Sequence, residues 1–168
     1  MQIEIGSDHR GYALKQRVIA HLTGAGHAVR DHGPGDASAC DYPDFAYAAA
    51  RAVAAQPGSL GIVICGNGIG VSMAANKVPG IRAALCLSEA MASQSRRHNN
   101  ANVLALGGES LPERDNLRIV DVWLASEFEG GRHAPRVEKL MRGECRGPQP
   151  TGPAARQGTE HSRGDADG

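Results

Sequence analysis

Hydrophobic positions along the chain repeat with two different periods. Ile3 and Ile5 alternate with polar neighbours, which is typical of a strand. Further on, apolar residues recur every four positions, the spacing of one helical face, at Leu14, Val18 and Leu22. Strand-like and helix-like segments then alternate. The later predicted strands cover residues 27–31, 60–65, 81–87 and 102–108. The predicted helices cover residues 12–22, 42–55, 69–76, 89–97, 113–125 and 135–142.

This alternation, together with the almost continuous apolar character of the later strands, predicts a parallel sheet covered by helices on both faces. We therefore expect an α/β fold: a three-layer αβα, Rossmann-like single domain over residues 1–145, with a five-stranded parallel sheet. Ligands of such sheets bind beyond the carboxyl ends of the strands. The segments expected there are residues 6–11, 65–70, 87–89 and 107–110.

Residues 146–168 have a different composition. They contain no Val, Ile, Leu, Met or aromatic residue, and eight of them are Gly or Pro. Such a segment buries too little apolar area to offset its ordering entropy, so we expect a disordered C-terminal tail.

The charge balance and the lengths of the apolar runs argue against some classes of binding partner. The 18 Lys and Arg residues balance the 18 Asp and Glu residues, which argues against nucleic-acid binding. No apolar run approaches the roughly 18 residues that a membrane span requires. The N-terminus does not resemble a signal peptide. The four cysteines, at positions 40, 65, 86 and 145, form no CxxC pair, and we expect reduced thiols in a cytoplasmic protein.

The stretch CGNGIG, residues 65–70, joins a buried-looking strand to a helix. Its glycine spacing lacks the GxGxxG of a dinucleotide site and the lysine of a Walker motif. Its backbone N–H groups could bind a phosphate or another oxyanion such as an enediolate, or the glycines could serve only a tight turn. Cys65 could be a base or nucleophile beside that loop, or a small core residue.

Other candidate groups lie in separate segments. Asp8 and His9 follow the first strand and could bind a phosphate or sugar hydroxyl, although Asp8 also suits a helix N-cap. His98 closes a helix next to three asparagines, which offer donors and acceptors for sugar hydroxyls. Arg132 and Arg136 could bind a phosphate together, or they could form the solvent-exposed edge of a helix.

Taken together, these segments resemble the type B ribose-5-phosphate isomerases, whose wider family includes the subunits of galactose-6-phosphate isomerase. The matching stretches keep the family's order and are SDHRGYALK (7–15), DYPDFA (41–46), CGNGIGVSMAANKVPGIRA (65–83), RRHNNANVLALGG (96–108) and GGRHAPRVE (130–138). The resemblance implies a metal-free and cofactor-free aldose–ketose isomerase that interconverts ribose 5-phosphate and ribulose 5-phosphate through a cis-enediolate.

The resemblance also implies roles for particular residues. Cys65 would be the base that carries the proton, and His98 would assist ring opening with Asp8 nearby. The loop residues that would bind the substrate are Gly66, Asn67, Gly68, Ile69 and Gly70. The remaining substrate-binding residues would be Asn99, for sugar oxygens, and His9, Arg132 and Arg136, for the phosphate. A homodimer or homotetramer with sites shared between subunits is implied, with a small sugar phosphate as substrate and no nucleic-acid or membrane partner.

Two positions depart from the family pattern. Asn67 stands where Thr or Ser is common, and Glu109 stands where an arginine usually provides another phosphate ligand. Arg114 could replace that arginine, or Glu109 could point away from the substrate. These departures leave open the same chemistry on another sugar phosphate, such as a tetrose, another pentose or a hexose 6-phosphate. A non-catalytic sugar-phosphate-binding protein is a further alternative.

Overall fold

The computed structural model describes residues 1–143, so the tail predicted at 146–168 lies outside the described residues. The strands are β1 (Gln2–Ser7), β2 (Ala28–Asp31), β3 (Leu60–Cys65), β4 (Ala83–Leu85) and β5 (Val103–Gly107). The helices are α1 (Tyr12–Gly24), α2 (Tyr42–Ala55), α3 (Ile69–Ala75), α4 (Glu89–Asn99), α5 (Glu113–Ala125) and α6 (Ala134–Gly143). A 3₁₀ turn, Gly131–His133, precedes α6. Within residues 1–143, no helix combines the length and apolar character needed to cross a membrane.

The five strands form one parallel sheet in the order β2-β1-β3-β5-β4. β3 is central, and its last residues pair with the ends of both neighbours: Ile64 with Ser7 of β1, and Cys65 with Gly107 of β5. The loops that follow β1, β3 and β5 therefore meet at the carboxyl edge of the sheet. The predicted α/β architecture is confirmed.

Apolar side chains cover both faces of the sheet, which explains the continuous apolar runs in its central strands. One core lies under α1, α4 and α5 and includes Leu14, Val18 and Trp123. The other lies under α2 and α3 and is built largely from small residues such as Ala49 and Ala75. These two layers hold the loops at the strand ends in fixed positions.

β4 is shorter than the predicted segment 81–87. The backbone N–H of Arg82 donates to the side-chain oxygen of Asn102, and that of Ala83 donates to the side-chain oxygen of Asn76. The Asn76 amide also donates to the carbonyl of Ala83. Arg82 thus gives its N–H to a side chain, and the ladder with β5 begins at Ala83, which pairs with Val103. A hydrophobic pattern cannot reveal that start.

Candidate active site

Cys65, the last residue of β3, opens into a cavity of about 390 Å³ at the carboxyl edge of the sheet. We call this cavity the thiol pocket; it is lined by residues 65–67 and 69–70, by Asp8 and Arg10 after β1, and by Tyr42 and Met73. Its volume lies within the range of small-molecule sites. The pocket joins the glycine loop to the segment after β1, as the sequence predicts.

The sulfur of Cys65 is buried but not enclosed by the sheet. The residue is 5% exposed, and its Sγ accepts the N–H of Gly68 at 3.2 Å. On its other side, Sγ lies 3.8 Å from the side-chain oxygen of Asn67. Cys65 also packs among the core residues under α2 and α3, whereas Cys86 lies in the other core, where burial raises the pKa of its thiol to about 11. Of these two thiols, Cys65 is the one placed to meet a ligand.

The N–H groups of the glycine loop divide into two sets. Two are already engaged: Gly68 donates to the sulfur, and Ile69 donates to the Asn67 side-chain oxygen at 3.0 Å. Those of Gly66, Asn67 and Gly70 make no hydrogen bond to any residue that the structure describes. The predicted contributions of Gly68 and Ile69 to ligand binding thus stay predictions, while the other three amides are available to an oxyanion.

The glycines of this loop are also required by packing. A Cβ on Gly66 would lie 2.9 Å from the Arg10 guanidinium, and one on Gly70 would lie 2.7 Å from the Tyr42 ring. Gly68 has a φ of 79° and lies against the backbone of Leu106. Glycine therefore serves this loop in two ways: it avoids close contacts with neighbouring groups, and it lets backbone N–H groups face the pocket.

Asp8 and His9 lie at the same edge as Cys65. Asp8 is buried, and its Oδ1 accepts the N–H of Gly11 at 2.8 Å, so one carboxylate oxygen shapes the turn before α1. The structure starts α1 after Gly11, so Asp8 acts as a turn residue and not as the N-cap itself. The Nδ1 of His9 is held by the backbone of Cys40, 3.1 Å from its oxygen and 3.2 Å from its nitrogen. This contact leaves Nε2 of His9 as the atom available to a ligand.

The other predicted groups lie at the amino edge of the sheet. α4 runs back from β4 to the start of β5, so His98 and Asn99 lie near Asn102, whose carbonyl accepts the N–H of Gly61 at the beginning of β3. α5 also ends at this edge, and Arg132 and His133 follow it in the 3₁₀ turn. Arg136 lies in α6, so the two arginines do not share one α-helix as the sequence suggested.

His98 forms a compact group with Arg132, which the sequence analysis selected, and with Glu129 and His133, which it did not. We call His98, Glu129, Arg132 and His133 the histidine cluster. The rings of His98 and His133 stack, with centroids 4.4 Å apart and planes 10° from parallel. One carboxylate oxygen of Glu129 lies 3.8 Å from Nε2 of His98 and 3.7 Å from Nε2 of His133. The sequence signal that could have found His133 is its place next to Arg132 in the motif GGRH.

Charges in the histidine cluster influence one another. The Arg97 guanidinium donates to Glu129 at 2.7 Å and holds the pKa of that carboxyl below its usual value. Burial is the main cause that lowers the pKa of His133, followed by the nearby His98 and Arg132. Arg132 Nε also donates to Nε2 of His133 at 3.4 Å. His133 is therefore held as a neutral ring beside the more exposed His98.

His98, Glu129 and His133 also form the group of described residues most like a set of metal ligands, since their ligand atoms lie within 4.8 Å of one another. A shared metal must lie near the plane of each imidazole, because the nitrogen lone pairs lie in those planes. Two stacked, almost parallel rings offer no common in-plane point. The arrangement therefore does not suit a metal shared by both histidines.

The thiol pocket and the histidine cluster lie at opposite edges of the sheet. A strand rises about 3.3 Å per residue, so the six residues of β3 separate the two edges by roughly 15–20 Å. A larger cavity of about 600 Å³ lies at the amino edge, but its lining, which includes Asn99 and Leu140, is mainly apolar. The chain thus brings Cys65 together with Asp8 and the glycine loop, and keeps His98 apart from them.

Comparisons with known proteins point to one family. Residues 3–140 match the family model described as Ribose/Galactose Isomerase. The chain is 44% identical over 145 residues to ribose-5-phosphate isomerase B of Escherichia coli K12, covering 86% of this chain and 97% of that protein. Among solved structures, ribose-5-phosphate isomerase B of Clostridium thermocellum has 51% identity and a TM-score of 0.85, covering 86% and 98% of the two chains. That of Mycoplasma genitalium with bound ribulose-5-phosphate has 45% identity and a TM-score of 0.82, covering 86% and 96%.

Proposed function

The chain belongs to the ribose/galactose isomerase family, and from that premise we propose that it interconverts ribose 5-phosphate and ribulose 5-phosphate, with Cys65 as the base. The aldose–ketose isomerase class follows from the named relatives. The observation that supports the role of Cys65 is the position of its sulfur. Sγ lies at the pocket wall, with the N–H of Gly68 directed at it and unengaged loop amides beside it.

The proposed reaction moves one proton between neighbouring carbons. The Cys65 thiolate removes the proton from C2 of the open-chain aldose, and the electrons of that C–H bond pass through the forming C1–C2 double bond to the oxygen on C1. The same sulfur then returns its proton to C1, while the proton on the C2 oxygen moves to the C1 oxygen and a carbonyl forms at C2. The N–H groups of Gly66, Asn67 and Gly70 would stabilise the negative oxygen of the intermediate.

Ring opening and part of the phosphate binding are assigned to a second copy of the chain. His98, Asn99, Arg132 and Arg136 are too far from Cys65 of the same chain to share one pentose phosphate with it. We therefore propose a homodimer, or a tetramer built from such dimers, in which the amino edge of one subunit completes the thiol pocket of the other. Asp8 and His9, on the Cys65 side, would contact the sugar and its phosphate.

The mechanism is proposed to need neither metal nor cofactor. Each proton transfer has a side chain or substrate oxygen to accept it, and the charge of the intermediate is taken up by backbone amides. A chelator should accordingly leave the rate unchanged.

The test is product formation from a panel of tetrose, pentose and hexose phosphates, with the Cys65→Ala variant as the control. We expect ribose 5-phosphate to be among the best substrates, with and without chelator. Loss of the proton-transfer group should lower kcat by about a hundredfold or more in Cys65→Ala. Ribose 5-phosphate ranking among the poorest substrates would contradict the assignment, and full activity of the variant would place the base elsewhere.

A further inference from the structure

An ion pair crosses the glycine loop at the mouth of the thiol pocket. Arg10, from the segment after β1, donates through Nε to Oε1 of Glu109 at 2.9 Å and through Nη2 to Oε2. Glu109 comes from the segment after β5, so the pair spans the end of β3 from both neighbouring strands. Both side chains are about half exposed.

The backbone fixes both partners against the loop. The N–H of Glu109 donates to the carbonyl of Gly66 at 2.9 Å, and that of Gly108 donates to the carbonyl of Cys65 at 2.8 Å. On the other side, the N–H of Asp8 donates to Ile64 at 3.1 Å. The guanidinium lies directly over Gly66, which has no side chain to displace it. An ordinary surface ion pair contributes little to stability and does not require its partners to be held by backbone hydrogen bonds or to lie over a glycine.

The pairing leaves one side of the guanidinium unused. Nε and Nη2 are engaged by Glu109, whereas Nη1 makes no hydrogen bond to any residue in the described part of the chain. Arg10 is also the only positively charged residue among the described residues that line the thiol pocket. Glu109 raises the pKa of Arg10, so the guanidinium stays charged throughout the working pH range.

We propose that Arg10 binds the phosphate of the substrate in the thiol pocket, and that Glu109 positions Arg10 for this contact. The proposal rests on the proposed sugar-phosphate isomerase function. In the chain that holds Cys65, the described lining of the thiol pocket carries the Asp8 carboxylate and the Arg10 guanidinium. Guanidinium N–H groups match phosphate oxygens geometrically, so Arg10 would add to the contacts proposed for Arg132 and Arg136 of the second copy. Glu109 then acts through Arg10, and its own carboxylate is turned away from the ligand.

Steady-state kinetics with ribose 5-phosphate separate these roles. Arg10→Met should raise KM about tenfold or more while kcat changes little, because the lost interaction is present in both ground and transition states. Arg10→Lys should recover part of the loss. Glu109→Gln should raise KM by a smaller factor, and in the Arg10→Met background it should have no further effect.

The matched control is the Arg17–Glu113 pair, which has similar exposure and lies outside the pocket. Arg17→Met should leave KM unchanged. A KM for Arg10→Met equal to that of the wild type would overturn the proposal. A lower KM in Glu109→Gln would show that Glu109 repels the substrate and does not position Arg10.

Inorganic phosphate provides a readout that does not depend on turnover. Calorimetric titration should show phosphate binding about tenfold weaker in Arg10→Met than in the wild type. If the wild type isomerised no sugar phosphate, the proposed function would fail while this titration still tested Arg10. If the wild type turned over ribose 5-phosphate, and Arg10→Met matched it in KM and phosphate affinity, only the inference about Arg10 would fail.

Discussion

His98 and His133 lie among the same charged side chains, yet they differ in their exposure to solvent. His133, the last residue of the 3₁₀ turn, is buried, whereas about a third of the His98 side chain is exposed. The charged groups that face the pair are Glu129, Arg97, Arg132 and Arg136. The lowered pKa of His133 favours its neutral form, and its ring packs flat against that of His98.

This arrangement predicts a dependence of stability on pH. Burial lowers the pKa of His133 in the folded state, so the unfolded chain takes up a proton first as the pH falls below the ordinary histidine value of about 6.5. The contribution of His133 is therefore complete above that value and is lost as the pH falls towards the folded pKa. Thermal unfolding of wild type and His133→Gln at pH 7.5 and 5.5 measures it. The decrease in Tm on acidification should be smaller in the variant, and an equal decrease in both proteins would contradict the argument.

Among the elements, the turn that leads into helix α1 approaches β3 closely. A Cβ on Gly11 would lie 2.7 Å from the carbonyl oxygen of Ile64, and that backbone cannot move without disturbing the strand that carries Cys65. The same turn contains Asp8 and Arg10. The packing of α1 therefore determines where two groups of the thiol pocket lie.

Substituting this glycine should be costly. Gly11→Ala is expected to lower the free energy of unfolding by about 1–3 kcal/mol, as overpacking against backbone does. Gly24→Ala is the matched control at the other end of α1, where an added Cβ would contact nothing within 4 Å. That variant should be neutral or stabilised by up to about 1 kcal/mol. Urea unfolding of both variants tests the contrast, and equal effects would mean that α1 can shift away from β3.

The elements were largely predictable from the sequence, while their contacts were not. Helix α5 begins and ends where its apolar periodicity predicts, because local spacing determines which face is buried. The start of β4 was missed because the side chain of Asn102 accepts the N–H of Arg82, so the strand begins only at Ala83. The Arg10–Glu109 pair joins residues 99 positions apart, and the sequence left open whether Glu109 points away from the substrate. Cys65 and Asp8 were correctly brought together by the rule for carboxyl edges, whereas the stacking of His133 on His98 has no local signature.

For the whole molecule, the separation of Cys65 from His98 predicts complementation between inactive chains. In an assembly with shared sites, a Cys65→Ala chain still supplies His98, and a His98→Asn chain still supplies Cys65. When the two variants are refolded together in equal amounts, about a quarter of the sites should contain both intact residues, since each contribution is drawn independently. Activity should rise to about that fraction of the wild type. A mixture no more active than its components would place the complete site within one chain.

In the proposed shared site, the same separation would make catalysis depend on encounter between chains. A folded monomer would carry the sulfur of one site and the imidazole of another, and neither half could turn over substrate alone. Below the dissociation constant of the dimer, the initial rate should therefore increase with the square of total protein concentration, even though every molecule remains folded.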